Sequence, residues 1–140
     1  MNGDFYMGMK NLYEQDLLDH SQNPRNFGLF TPYDFISPMY NPSCGDSVTI
    51  CANVSDGKIS KIAFQGKGCV LSVAMASKLT EFALHKDLLE LESLDDALVE
   101  QLLKMQLGLK RMQCGMLSLM ALQKGIKSFL EKSPDLLTDK

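Results

Sequence analysis

The sequence predicts an α+β domain in which a small three-stranded antiparallel sheet has helices packed on one face. Three observations lead to this fold class. Residues 48–54 alternate between apolar and polar side chains, a second strand-like run over 59–65 follows the pair Asp56-Gly57, and apolar residues recur at helical spacing before and after these runs. Because the helices precede and follow the strands instead of alternating with them, a parallel α/β sheet is not expected.

The first half of the chain supplies one helix and the sheet. Helical spacing predicts an amphipathic helix over 9–20, which ends at the turn signal Asn23-Pro24. The aromatic segment 27–40 is interpreted as a short strand with an irregular connection. Asp56-Gly57 between two alternating runs is typical of a tight β-hairpin turn.

The second half is predicted to be helical. One helix begins at Cys69 and runs to about residue 82, a second begins at Ser93 as its cap and runs to about 105, and a last one begins at Cys114 and runs to about 129. The whole chain, 1–140, is interpreted as a single domain whose end, about 131–140, is a frayed tail.

Composition excludes several functional classes. With 140 residues, 45% of them hydrophobic, the chain is long enough to bury a core of its own. A net charge of −3 with scattered basic residues disfavours nucleic-acid binding. No apolar run approaches the roughly 20 residues of a membrane span. The N-terminus has no basic-then-apolar signal pattern, so a cytoplasmic location is expected.

Four cysteines, Cys44, Cys51, Cys69 and Cys114, are the main candidates for chemistry. Two disulfides would fit an even count, but a reducing compartment and an adequate core favour metal or sulfur chemistry. Cys51 falls on the strand face opposite Ile50 and is interpreted as a small packing residue.

The remaining thiols are expected to meet at one edge of the sheet. Cys44 precedes the first hairpin strand and Cys69 follows the second, so antiparallel pairing brings them together, and Cys114 joins them if its helix crosses the sheet. A helix start would lower the thiol pKa at Cys69 and Cys114. Zn²⁺ or iron would balance the thiolate charge, with Asp46 as the nearest fourth ligand. Alternatively, Asp46 caps backbone amides in a turn.

Several motifs in order resemble the U-type iron–sulfur cluster scaffold family, which includes IscU, the NifU N-terminal domain and SufU. The matching segments cover nearly the whole chain: Tyr13 to His20, Asn23-Pro24-Arg25-Asn26, Asn41-Pro42-Ser43-Cys44-Gly45-Asp46, Gly68-Cys69 with the helix through Ser77, and Arg111-Met112-Gln113-Cys114.

The resemblance implies a function and a set of site residues. Cys44, Cys69 and Cys114 would bind a transient [2Fe–2S] cluster, or Zn²⁺ in the isolated protein, and Asp46 would be the exchangeable ligand. A cysteine desulfurase would deliver sulfur, with Cys114 as the candidate persulfide acceptor, and acceptor apo-proteins would receive the cluster. An assembly scaffold is favoured over an enzyme, and the alternatives are a zinc-dependent sulfurtransferase of the SufU type and a structural zinc module.

Two departures from the family pattern bear on these expectations. Most IscU-type members have His directly before the third cysteine, where this chain has Gln113, and an amide is a poor ligand for a soft metal. The proline-containing segment that a dedicated Hsp70 chaperone recognises is replaced by Leu107-Gly108-Leu109-Lys110-Arg111, so that partner is not expected. His20 is interpreted as a structural or partner-facing residue.

Overall fold

A computed structural model describes the backbone of residues 2–132 and the side chains of residues 12–132. The elements follow in the order α1 (Asn2–Gln22), β1 (Phe35–Asn41), β2 (Asp46–Ser55), β3 (Lys58–Lys67), α2 (Val70–Ala83), α3 (Leu88–Glu92), α4 (Asp96–Leu103) and α5 (Leu109–Lys132). The three strands form one antiparallel sheet in the order β1-β2-β3, which confirms the predicted fold class. Within residues 2–132, no helix is both long and apolar enough to cross a bilayer.

The turn between β2 and β3 follows from its sequence. Asp56 and Gly57 both have positive φ angles, 55° and 73°, which is the backbone twist that a two-residue hairpin turn needs. Ser55 pairs with Lys58 across this turn, and the pairing continues to Ser47 and Lys67 at the other end. The start of β2 and the end of β3 therefore lie at the same edge of the sheet.

One face of the sheet packs against α2 and α5. Its buried side chains alternate along the strands, and the helices contribute matching apolar residues: Phe35, Val48, Ile50, Ala52, Ile62, Phe64, Met75, Leu79, Leu119, Leu122 and Ile126. The helix α5 approaches β1 closely at Gly125, where an added Cβ would lie 2.5 Å from the ring of Phe35. Burial of this apolar stripe fixes α5 across the sheet.

The opposite face is partly covered by the connection between α1 and β1. Cys51 is fully buried there, with its Sγ 3.9 Å from the carbonyl oxygen of Phe30. The interpretation of Cys51 as a small packing residue is therefore confirmed. Asn26 and Gly28 in the same connection bond to the backbone of Phe64 and extend the sheet beyond β3.

Two predicted helix starts are wrong. Ser93 ends α3, a short helix that was not predicted, and its hydroxyl donates to the carbonyl oxygen of Glu90. The cap of α4 is Asp95, whose carboxylate accepts from the amide of Ala97. Cys114 does not begin α5 either, because that helix starts at Leu109 and places Cys114 in its second turn.

The ends of the chain also differ from expectation. The first helix starts at Asn2, earlier than residue 9. The predicted frayed tail over 131–140 overlaps α5, which continues to Lys132, and its remaining residues lie outside the described part of the chain.

Side chains join α1 firmly to α2. Asp16 pairs with Lys78 at 2.5 Å, and the Nδ1 atom of His20 lies 2.7 Å from the hydroxyl of Ser77. His20 is buried, and burial, with the nearby cations Arg25 and Lys78, lowers its pKa. In this fold His20 has a structural role between two helices.

Candidate metal and sulfur site

Cys44 lies in the tight connection between β1 and β2. The amide of Gly45 donates to the carbonyl oxygen of Asn41 at 2.8 Å, and the amide of Ser43 donates to the Asn41 side chain at 3.0 Å. Gly45 has a φ of 75°, a conformation that glycine adopts without strain. This loop leaves the Cys44 thiol exposed at the edge of the sheet.

Cys69 reaches the same edge from β3. It is the N-terminal cap residue of α2, and its thiol is exposed. Gly68, directly before it, has a φ of 152°, and an added Cβ there would overlap the carboxylate of Asp46. Glycine at 68 is therefore what allows the β3–α2 corner to close onto Asp46.

Cys114 completes the group from α5. Its Sγ lies 3.6 Å from the Sγ of Cys44, so the crossing helix does bring the third thiol to the site. The expected lowering of its pKa by a helix start is wrong, because Cys114 lies inside the helix. Burial and the neighbouring thiols of Cys44 and Cys69 together raise the pKa of the Cys114 thiol to about 12, with burial the largest cause.

Asp46 lies at the centre of the site and is buried, with 3% of its surface exposed. One oxygen, Oδ1, accepts from the amide of Cys69 at 3.1 Å. The other, Oδ2, accepts from the Cys69 thiol at 3.3 Å and from the hydroxyl of Ser72. Burial raises the pKa of Asp46, but hydrogen bonds from Ser72, Cys69 and Cys44 outweigh burial and hold the pKa below its ordinary value.

The position of Asp46 is compatible with both roles left open by the sequence, a cap of backbone amides and a metal ligand. Its bond to the Cys69 amide is a cap for α2, since that amide is one of the donors that a helix start leaves unpaired. The same carboxylate has one oxygen within 4.8 Å of both Cys44 and Cys114 Sγ. A capping residue and a candidate ligand are therefore the same side chain.

The donor set fits a tetrahedral metal. Two sulfurs on one zinc ion, each at about 2.3 Å, would be about 3.8 Å apart, and a sulfur and a carboxylate oxygen about 3.5 Å apart. The observed separations are 3.6 Å for Cys44 and Cys114 and 3.3 Å for Cys69 and Asp46. The ligand atoms of Cys44, Asp46 and Cys114 all lie within 4.8 Å of one another, and the Cys69 thiol adjoins this group through its contact with Asp46. Sulfur ligands of this kind match the preference of zinc and iron.

Ser72 is the site residue that the sequence reasoning missed. Its hydroxyl is buried and contacts Asp46, the Cys69 sulfur at 3.5 Å and the Cys114 carbonyl oxygen at 3.3 Å. A polar residue three positions after a helix cap often turns back toward the cap, and this signal could have identified Ser72. The polar neighbours of the cysteines in sequence have exposed side chains: Lys67, Lys110, Arg111 and Gln113.

The fold and the site together define a class of protein: a small α+β domain that presents thiols and one carboxylate at a sheet edge. The sequence pattern of the NifU-like N terminal domain matches residues 12–135. The chain therefore belongs to the NifU-like N-terminal domain family.

Individual relatives agree with this assignment. The iron-sulfur cluster assembly scaffold protein IscU 1 of Archaeoglobus fulgidus is 37% identical over 123 residues, covering 87% of this chain and 79% of that protein. The zinc-dependent sulfurtransferase SufU of Bacillus subtilis is 29% identical over 139 residues, covering 87% and 94%. The crystal structure of the N-terminal part of a NifU-like protein from Brucella abortus shares the fold, with a TM-score of 0.73 at 20% identity over 89% of this chain and 98% of that one.

Proposed function

We propose that the chain is an iron–sulfur cluster assembly scaffold, which builds a [2Fe–2S] cluster on Cys44, Cys69 and Cys114 and passes it to acceptor apo-proteins. The observation that supports this most is that three cysteines and Asp46 meet at one edge of the sheet. The sulfurs of Cys44 and Cys114 are 3.6 Å apart, and the Cys69 sulfur lies 3.3 Å from Oδ2 of Asp46. A relative that is 37% identical is named a scaffold of this kind.

Exposure of the thiols suits a cargo that must enter and leave. Cys44 and Cys69 are exposed and Cys114 is partly buried, so an acceptor protein can reach a metal or cluster bound to them. The domain has an extensive hydrophobic core without any metal, so bound metal is not required for folding. A scaffold therefore fits better than a structural zinc module.

Sulfur would arrive as a persulfide on a cysteine desulfurase. The Cys114 thiolate attacks the outer sulfur of that persulfide, a new S–S bond forms on Cys114, and the desulfurase cysteine leaves as a thiolate. The step needs deprotonated Cys114, whose pKa near 12 in the metal-free site disfavours it. Metal bound at the neighbouring sulfurs would favour the thiolate form.

Asp46 would make the cargo exchangeable. A carboxylate is a harder ligand than a thiolate and binds iron in this environment less firmly. Its oxygens accept hydrogen bonds from the Cys69 amide and the Ser72 hydroxyl, which hold the carboxylate in place whether or not a metal is bound. The bound cluster would therefore leave most easily from the Asp46 side.

A transfer time course tests the scaffold function. The chain is loaded anaerobically with ferrous iron, cysteine, a cysteine desulfurase and dithiothreitol, which supplies the electrons that reduce persulfide sulfur to sulfide. Visible circular dichroism then follows transfer to an apo-[2Fe–2S] ferredoxin. We expect a cluster spectrum on the chain and stoichiometric appearance of holo-ferredoxin. A chain that forms no cluster, or keeps it in the presence of excess ferredoxin, would refute the proposal.

The second candidate is a zinc-dependent sulfurtransferase, which is the named activity of the 29% identical relative. Gln113 before the third candidate ligand favours this alternative, because members of the SufU branch also lack the histidine there. The spacing of 45 positions from Cys69 to Cys114 favours the scaffold instead, because it is the short spacing of the IscU type without the SufU insertion. The zinc-loaded chain, mixed with desulfurase and cysteine, distinguishes the two. Mass spectrometry that finds a persulfide on Cys114 passed to a further acceptor, without any cluster, would favour sulfur transfer.

A further inference from the structure

Ser72 is a buried hydroxyl that connects three of the candidate site residues. It is 1% exposed and lies on the first turn of α2, in reach of Asp46, the Cys69 sulfur and the Cys114 carbonyl oxygen. A hydroxyl donates only one proton, so these contacts compete for it. The Asp46 carboxylate is the strongest acceptor of the three and also the closest.

We propose that Ser72 is a positioning residue, which holds Asp46 Oδ2 in the orientation needed to bind the metal or cluster between the thiols. The inference rests on the proposed function, since it concerns how the same site holds its cargo. It assigns no contact between Ser72 and the metal. Its effect is transmitted through the carboxylate alone.

The two oxygens of Asp46 are held differently. Oδ1 is fixed by the backbone amide of Cys69, a donor that no side-chain change removes. Oδ2 is held by the Cys69 thiol and by Ser72. A cysteine that binds a metal does so as a thiolate and has no proton to donate. With metal bound, Ser72 is thus the donor that keeps Oδ2 in place among the contacts described.

Loss of the thiol proton also frees one lone pair of Oδ2 for the metal. A carboxylate oxygen accepts two interactions, so Oδ2 could bind a metal and still accept the hydrogen bond from Ser72. Pre-orientation of this kind raises metal affinity, because the carboxylate has no rotational freedom left to lose.

The test uses Co²⁺ as the probe, in the parent and in Ser72→Ala. Cobalt reports both thiolate ligation, by charge-transfer absorption, and coordination geometry, by its visible d–d bands. We expect Ser72→Ala to retain thiolate charge transfer, to show shifted d–d bands and to bind Co²⁺ about tenfold more weakly, because the carboxylate loses a hydrogen bond to its charged oxygen.

The chain offers a matched control. Ser118 in α5 is a serine that is as buried as Ser72, with 1% of its surface exposed. Its hydroxyl makes no hydrogen bond within residues 12–132. Ser118→Ala removes a buried hydroxyl without touching Asp46, so Co²⁺ affinity and spectrum should equal those of the parent. This variant separates loss of a specific bond from general loosening of the core.

A double-mutant cycle with Asp46→Ala tests the route of the effect. If Ser72 acts through Asp46, Ser72→Ala should have no further effect on Co²⁺ affinity in the Asp46→Ala background. Full additivity, or parent-like affinity and spectrum in Ser72→Ala, overturns the proposal and leaves the scaffold function standing. Absence of thiolate charge transfer in the parent refutes the scaffold function itself and removes the basis for the role of Ser72.

Discussion

Replacement of Asp46 by alanine should destabilise the metal-free protein, because this carboxylate caps α2. It is 3% exposed and accepts from the Cys69 amide at 3.1 Å and from Ser72. Loss of an N-terminal cap costs about 0.5–2 kcal/mol. The Ser72 hydroxyl can turn to the Cys114 carbonyl oxygen at 3.3 Å, which limits the further loss. We therefore expect the free energy of unfolding to fall by about 1–2 kcal/mol.

The assay is urea unfolding of metal-free protein followed by circular dichroism, together with Asp46→Asn. The asparagine retains an acceptor for the Cys69 amide, so it should lose less stability than alanine. The pKa of Asp46 is lowered in the folded state, so its contribution is present at neutral pH and is lost as pH falls below about 4. The gap between parent and Asp46→Ala should therefore shrink in acid.

Equal unfolding free energies for the parent and Asp46→Ala at pH 7 would refute the capping role. The same variant tests exchange, since loss of the displaceable ligand should lengthen cluster retention and slow transfer to ferredoxin. Parent-like transfer from Asp46→Ala would show that the carboxylate is a cap alone. The two measurements are independent, because one uses metal-free protein and the other uses loaded protein.

Further predictions follow from the surroundings of the site. Gly68→Ala should displace Asp46 and weaken Co²⁺ binding, because the added Cβ would overlap the carboxylate; titration that matches the parent would contradict this packing. Burial lowers the pKa of His20 in the folded state, so stability should decline as pH falls below about 6.5, and His20→Gln should flatten this decline in unfolding curves. In native metal-free protein, a small alkylating reagent should modify exposed Cys44 and spare Cys51, which is fully buried; peptide mass spectrometry showing the reverse order would contradict an exposed site.

The sheet and two of its site residues were predictable because their signals are local. The alternation over 48–54 and the Asp56-Gly57 turn define the hairpin, and antiparallel pairing then places the segments of Cys44 and Cys69 at one edge. These inferences need only neighbouring residues and the geometry of a two-stranded ladder. These inferences do not depend on where the helices begin or how they pack.

The helix starts were less predictable because several residues compete for the same role. Ser93 and Asp95 are both good caps, and only the structure shows Ser93 bonding back to Glu90 while Asp95 accepts from Ala97. The helix α5 starts at Leu109, five residues before Cys114, and the amide of Met112 donates there to the carbonyl oxygen of Gly108. Apolar periodicity alone does not identify which residue begins a helix.

The burial of Asp46 could not be predicted from its position in a turn-like loop. Its environment is produced by Gly68, Cys69 and Ser72, which are more than 20 residues away in sequence. Contacts of this range depend on how the β3–α2 corner closes over the start of β2. The sequence indicated a ligand or a cap; the fold shows the bond to the Cys69 amide and places the same carboxylate beside the Cys44 and Cys114 thiols.

The most direct test of the central claim is anaerobic reconstitution of single cysteine variants, with iron and acid-labile sulfide measured per chain. If the cluster is held by the edge thiols, Cys51→Ser should bind iron and sulfide as the parent does, because Cys51 is buried on the opposite face. Cys44→Ser, Cys69→Ser and Cys114→Ser should each lose most of both. Full loading of any of these three variants, or loss of loading in Cys51→Ser, would contradict the proposed site.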